Sequence, residues 1–271
     1  MVHEDSSKRR DHIFDIIVRS YIKTAEPVAS RTISKRYNLG LSPASIRNVM
    51  ADLEDMGLLK QPHTSAGRIP TEKGYRYFVD RLIKPEAMTK DEKEWVVKEL
   101  QKAKTIEGLA DRVSKIISEL TKNAALIYIK NLKRVSFLTY LLEELVEAQR
   151  LNDFFEEEAE LLLEGAFQLF EQPEFHDPTR MRVLLHTFQE KYIFLPILVK
   201  DLSEEGVHVH IGHETGLEDL DDISLVVKDW YMRGVPIGGV AVVGPTRMDY
   251  PKVISVVDFV ADSVTNAVQR F

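Results

Sequence analysis

The chain has 271 residues, 44% hydrophobic and 29% charged, which excludes wholesale disorder and leaves room for two ordinary domains. It has no cysteine, which removes disulfides, thiolate metal sites and thiol nucleophiles and fits a reducing cytoplasm; its longest apolar run, Ile193 to Val199, is far short of the ~20 residues that span a bilayer, and the opening MVHEDSSKRRDH lacks the apolar core of a secretory signal. The net charge of −7 hides a split: residues 1–84 hold 15 Lys and Arg against 10 Asp and Glu, so a basic first third precedes an acidic remainder, as expected if one end meets a polyanion and the other does not.

In chain order, residues 9–24 place Ile13, Ile16, Ile17 and Tyr21 on one helical face, and Glu26-Pro27 stops that helix. A short second helix is predicted from Ser30, read as its N-cap, to Tyr37, followed by a turn at Asn38-Leu39-Gly40. Ser42-Pro43 supplies an N-cap and a first-turn proline for a third helix with the apolar stripe Ile46, Val49, Met50 and Leu53, ended by Gly57. A short strand at 58–62, a polar loop from His63 to Arg68 and a return at Ile69-Pro70 precede a fourth helix capped by Thr71 and running to Leu82. Lys84-Pro85-Glu86 marks the expected domain boundary.

Beyond it, helices are predicted at 90–104 and 106–121, a buried strand at Ala124–Lys130 and an acidic helical region over 140–170. A helix at 179–190, strands at 193–199, 207–211, 223–231 and 235–243, and a closing helix at 250–270 complete an α+β second part.

The first 84 residues read as a winged helix-turn-helix. Burying the third helix through its apolar stripe leaves Ser42, Ala44, Ser45, Arg47 and Asn48 exposed in its first two turns, where a recognition helix meets major-groove base edges. Arg can bond guanine bidentately, Asn can do the same to adenine, Ser serves either a base or a phosphate, and Ala44 permits close approach. His63, Thr64, Ser65 and Arg68 surround Gly67 at the wing, suited to backbone or minor-groove contact. The competing interpretation is a winged helix used for protein contacts, with Arg47 merely solvated.

The run SYIKTAEPVASRTISKRYNLGLSPASIRNVMADLEDMGLL, followed by HTSAGRIPTEKGYRYFVDRL, resembles the N-terminal domain of the HrcA heat-shock repressors. LFEQPEF at 169–175 and the stretches IGHETGLEDL and VVGPTRMDY within 211–250 agree with it. The resemblance implies a homodimer that represses chaperone operons at an inverted-repeat operator, with a chaperonin helping to keep it active. It also implies a GAF-like domain over 86–139 and 193–271, interrupted by an inserted dimerising helical segment at 140–192. After Lys130 the sequence departs from the family pattern: several dozen residues are missing, so a shortened GAF-like sheet is expected.

Three other features invite a functional reading. His208, His210 and His213 form H-x-H-x-x-H, with His208 and His210 on one strand face, a spacing a metal could use but an ordinary strand also produces. The loop 244–250, GPTRMDY, reads chiefly as a strand-to-helix connection, with Asp249 capping the helix and Arg247 in an ion pair. The glutamates of 143–164 fit a solvated face or a dimer seam. With no catalytic triad order, Walker loop or dinucleotide fingerprint, and no cofactor site, the expectation is a non-enzymatic, dimeric, DNA-binding repressor. A ligand-responsive regulator and an interaction module without DNA function are the alternatives. Heat release is expected to reside in residues 86–271, with 1–84 a folded monomer of weak operator affinity.

Overall fold

The computed structural model describes residues 2–84, 86–130, 159–200, 205–217 and 220–270. The fold is α+β and divides into two compact units, one of Met1–Lys84 with Thr246–Pro251, the other of Pro85–Pro245 with Lys252–Phe271. Among the described residues no helix is long and apolar enough to cross a membrane.

In the first unit, α1 (Val2–Thr24) buries Ile13, Phe14, Ile16, Ile17 and Val18, while Tyr21 is only half-buried. The second helix, α2 (Ser30–Arg36), begins at the residue expected to cap it: Ala29 is the N-cap, with no side-chain hydrogen bond, and Ser30 is buried inside the helix. Ile33 is fully buried and anchors this short element. Helix α3 (Pro43–Asp55) starts as expected, with Ser42 accepting from the Ser45 amide at 3.1 Å, and seats Ile46, Met50 and Leu53 in the core. Strands β1 (Leu59–Lys60) and β2 (Ile69–Pro70) form an antiparallel ribbon. Thr71 then caps α4 (Glu72–Tyr77) by accepting from the Gly74 amide, and the helix continues as a π-helical turn over Phe78–Leu82. Tyr77 packs edge-on against Phe14 and donates to Asp11 at 2.9 Å. Burial, together with the adjacent Asp11 carboxylate, raises the Tyr77 hydroxyl above its ordinary pKa.

The first unit is larger than 1–84 because Thr246–Pro251 belongs to it. Tyr250 is fully buried, with its ring 5.9 Å from that of Tyr75, and its hydroxyl donates to the Thr246 carbonyl at 2.8 Å. Met248 is also buried. Arg247 donates to the Ile22 carbonyl at 3.0 Å, in the last turn of α1, where the exposed carbonyls favour a cation.

The second unit is built on a five-stranded antiparallel sheet in the order β4-β3-β7-β6-β5, formed by β3 (Ala124–Lys130), β4 (Ala159–Glu164), β5 (His208–Ile211), β6 (Ile223–Met232) and β7 (Val235–Pro245). Arg233 and Gly234 join β6 to β7, both at positive φ, as a two-residue type I′ hairpin requires. Pro236 causes no loss in the central strand, because β3 pairs with β7 only from Gly238 onward and a register shift at Trp230/Tyr231 lies opposite.

Helices α5 (Lys90–Gln101) and α6 (Ile106–Thr121) pack together, and α6 lies on β3, β4 and β7. Thr89 and Glu92 close a capping box at the start of α5. Alternate residues on the other sheet face, including Leu126, Leu161, Leu225 and Ala241, join a core with Leu169, Phe175, Leu184, Phe194 and Leu198. The last five come from the segment containing α7 (Phe167–Phe170), α8 (Pro178–Gln189) and α9 (Leu195–Lys200). Helix α10 (Tyr250–Val268) closes the chain, its Asp258 and Asp262 both accepting from Lys228 of β6.

Two predicted elements are corrected. Residues 159–164, expected in the acidic helix, form an edge strand: Ala, Glu and Leu favour helix locally, but pairing with β3 along its length overrides that preference. Residues 195–200 are helical rather than extended, with Pro196 at the second helical position, where a missing amide costs nothing. The sheet therefore has five strands, with β4 in place of the expected strand at 193–199. Residues 140–158 of the expected dimerising segment lie outside the described residues.

Candidate nucleic-acid interface

Helix α3 presents two unlike faces. Ile46, Met50 and Leu53 are buried, Val49 is half-buried, and Ser42, Ala44, Ser45, Arg47 and Asn48 are all exposed. The hydroxyls of Ser42 and Ser45 lie 3.0 Å apart, so the capping pair has one hydroxyl bonded to the other before any ligand arrives. Ala44, Arg47 and Asn48 remain as a small, a cationic and an amide side chain on one accessible surface. This is a donor-rich and sterically permissive face.

The loop after β1 is held by its own hydrogen bonds. Gln61 donates to the Thr64 carbonyl at 2.9 Å and the Ala66 carbonyl at 3.0 Å, and the Ala66 amide donates to the His63 carbonyl. His63, Thr64 and Ser65 are exposed at its tip. At its base, Val28 and Arg68 exchange two backbone hydrogen bonds of 2.9 Å each, an isolated antiparallel bridge. Gly67 is required there: a β-carbon would come within 2.4 Å of the Val28 carbonyl group.

Arg68 takes a place the sequence did not foresee. Its guanidinium is bound to Glu54 at the end of α3, with Nε at 2.9 Å and a second nitrogen at 2.8 Å, and only 19% of the side chain is exposed. The loop is therefore tied at its base to both Val28 and α3. Glu54 was missed because Arg68 lies 14 positions away, outside any local pattern, and Gln61 because its partners are the backbone carbonyls of Thr64 and Ala66, which side-chain patterning does not reveal.

Other features stand apart. His208 and His210 are half-buried on β5, and His213 in the next turn pairs with Asp221 at 3.2 Å. Among the described residues no group of three or more His, Asp or Glu side chains is arranged to hold a metal ion. In α1, Arg19 is paired with Asp15 at 2.9 Å and lies over the Phe78 ring, which orients this cation within the unit.

The profile of the family described as HrcA protein C terminal domain matches residues 129–254. A heat-inducible transcription repressor HrcA of Pelotomaculum thermopropionicum is 33% identical, with 97% of each chain covered. The corresponding repressor of Geobacter sulfurreducens is 31% identical, covering 98% of this chain and 99% of its own. The Pelotomaculum match runs over 336 residues, against 271 in this chain, so several dozen aligned positions have no counterpart here. A crystal structure of a hypothetical protein at 2.2 Å resolution shares the fold, with a TM-score of 0.69, 20% identity and coverage of 97% and 98%. With a full-length relative at this level of identity, the chain belongs to the HrcA family of heat-inducible, DNA-binding transcription repressors.

Proposed function

We propose that this chain represses heat-shock genes by occlusion, as a cytoplasmic homodimer bound to an inverted-repeat operator and released on heat stress. Residues 1–84 act as a winged helix-turn-helix, with α3 as the reading helix and the loop 61–68 as the wing. The GAF-like domain is the sheet unit, which takes in β4 (Ala159–Glu164) and α8 (Pro178–Gln189) from the expected insertion, leaving residues 140–158 as what remains of the dimerising segment. A chaperonin is the partner expected from the family resemblance. In this reading Ala44, Arg47 and Asn48 meet base edges, Ser42 and Ser45 meet a base or the sugar-phosphate backbone, and His63, Thr64 and Ser65 follow the backbone beside them. Arg68 acts as the base of the wing.

The observation that carries this reading is the exposed face of α3, which sets Arg47 and Asn48 outward on a helix anchored by the buried Ile46, Met50 and Leu53. The five-stranded sheet with helices on both faces supports the GAF-like assignment. An electrophoretic shift with an inverted-repeat duplex and a scrambled one tests the function. The expected result is preference for the repeat and a slope of log K against log salt of about −5 to −9, for about 6–10 phosphates neutralised per dimer. Equal binding to both duplexes, or a flat salt response, refutes it.

A further inference from the structure

Within the first unit, α2, α3 and the loop 61–68 enclose a cleft of about 380 Å³, among whose lining residues are Arg31, Arg47, Gln61, Thr64, Ser65 and Arg68. Three guanidinium-bearing residues and three hydroxyl-bearing residues, the buried Ser30 among them, thus border one depression. Only one of the three cations is neutralised, Arg68 by Glu54. Among the described residues, neither Arg31 nor Arg47 has an ion-pair partner. Both are exposed, as are Thr64 and Ser65. Two uncompensated guanidinium groups raise the local positive potential, and guanidinium is the side-chain group best matched to a pair of phosphate oxygens.

We propose that this cleft seats one backbone phosphate of duplex DNA, held by Arg31, with the Thr64 and Ser65 hydroxyls donating to the remaining oxygens, while Arg47 at the cleft's edge meets the adjacent base and adds only its charge. Arg31, which no sequence pattern singled out, is then a phosphate-clamping residue, and Arg68 shapes the cleft wall through Glu54. The assignment rests on the DNA-binding reading above and adds a specific contact to it. It also divides the roles along one surface: Asn48 faces bases only, whereas Arg47 sits where the reading face meets the clamp.

The test compares wild type, Arg31→Ala and Arg31→Lys as full chains, each checked for an unchanged thermal unfolding midpoint, on the inverted-repeat duplex and on a scrambled duplex over a salt series. Arg31→Ala is expected to weaken both duplexes alike, roughly tenfold, and to flatten the salt slope by about 1 per subunit, while Arg31→Lys keeps the slope. An unchanged slope in Arg31→Ala, or a loss confined to the inverted repeat, overturns the proposal while leaving DNA binding intact. Absence of duplex binding by the wild type overturns both. A parallel titration with inorganic phosphate at fixed ionic strength separates the sources of the anion. If Arg31→Ala loses phosphate binding while its duplex binding is untouched, the cleft serves a free anion and the proposal fails.

Discussion

The phenol of Tyr128 on β3 donates to the carboxylate of Asp229 on β6, although β7 runs between those two strands. The residue of β7 paired with both is Gly239, and the missing side chain is what lets them meet. A β-carbon there would lie 2.6 Å from an Asp229 oxygen and 2.7 Å from the Tyr128 hydroxyl. Both partners are buried, so the bond satisfies two polar groups removed from water. We predict that Gly239→Ala destabilises the sheet unit by about 1–3 kcal/mol through overpacking, with a further loss if the bond breaks. Urea unfolding followed by tryptophan fluorescence measures this, since Trp230 adjoins Asp229; an unchanged midpoint contradicts it.

Lys228 gives a pH signature. Burial lowers its pKa, but hydrogen bonds to Asp258 and Asp262 and the charges of these carboxylates outweigh that, leaving it raised above the ordinary 10.5. A raised lysine binds its proton more tightly folded than unfolded. Its stabilising contribution is complete below the unfolded value and disappears as pH rises through the folded one. Melting temperatures across pH 9 to about 12 are expected to fall less in Lys228→Met than in wild type. At neutral pH the substitution should cost no more than about 1 kcal/mol, because both aspartates are over half exposed. Parallel curves over the alkaline range would remove Lys228 from the account.

Arg68→Ala is expected to act on the anchorage of the loop 61–68. Loss of a half-buried, doubly bonded pair should lower the stability of the first unit by about 1–2 kcal/mol. Glu54→Gln should give a similar but smaller loss, and the double variant should show clear non-additivity. Additive effects, or an Arg68→Ala protein as stable as wild type but unable to bind DNA, would identify Arg68 as a direct contact.

Arg47→Ala should cost about 1–3 kcal/mol of operator affinity per half-site and relax preference at one base position. Its exposure predicts no effect on folding. A quantitative shift assay with single-base operator variants would show this as one position losing discrimination. Uniform weakening at every position would move Arg47 wholly into the phosphate clamp.

Tyr250→Ala removes a fully buried ring from the first unit and should cost about 3–5 kcal/mol there. Hydrogen exchange read by mass spectrometry should locate the loss in α1 and α4. Unaltered protection in those helices would show that Thr246–Pro251 is dispensable to them. The same reasoning predicts that a fragment ending at Lys84 melts below the intact unit.

The elements of the first unit were legible because local signals agree with tertiary demand: Ser42-Pro43 and Thr71 are strong starts, and the α3 stripe repeats at helical spacing. Ser30 misled because its side chain is drawn into the core, leaving Ala29 as the cap. AELLLE at 159–164 reads as helix in isolation, and only β3 alongside makes it a strand. The exposed face of α3 could be listed from sequence, whereas the cleft could not. It arises where α2, α3 and the loop converge, and Arg31 and the Arg68–Glu54 tie belong to that convergence alone.

Ile22 and Arg247 are 225 positions apart. A ribosome releases the α1 turn well before the segment that caps it, by roughly ten seconds or more at usual rates of synthesis. Throughout that interval the Tyr75 ring awaits its Tyr250 partner, so a nascent or prematurely terminated chain carries all of α1, α2 and α3 without the piece that completes their unit. A stalled translation product therefore displays α3 on an unfinished base.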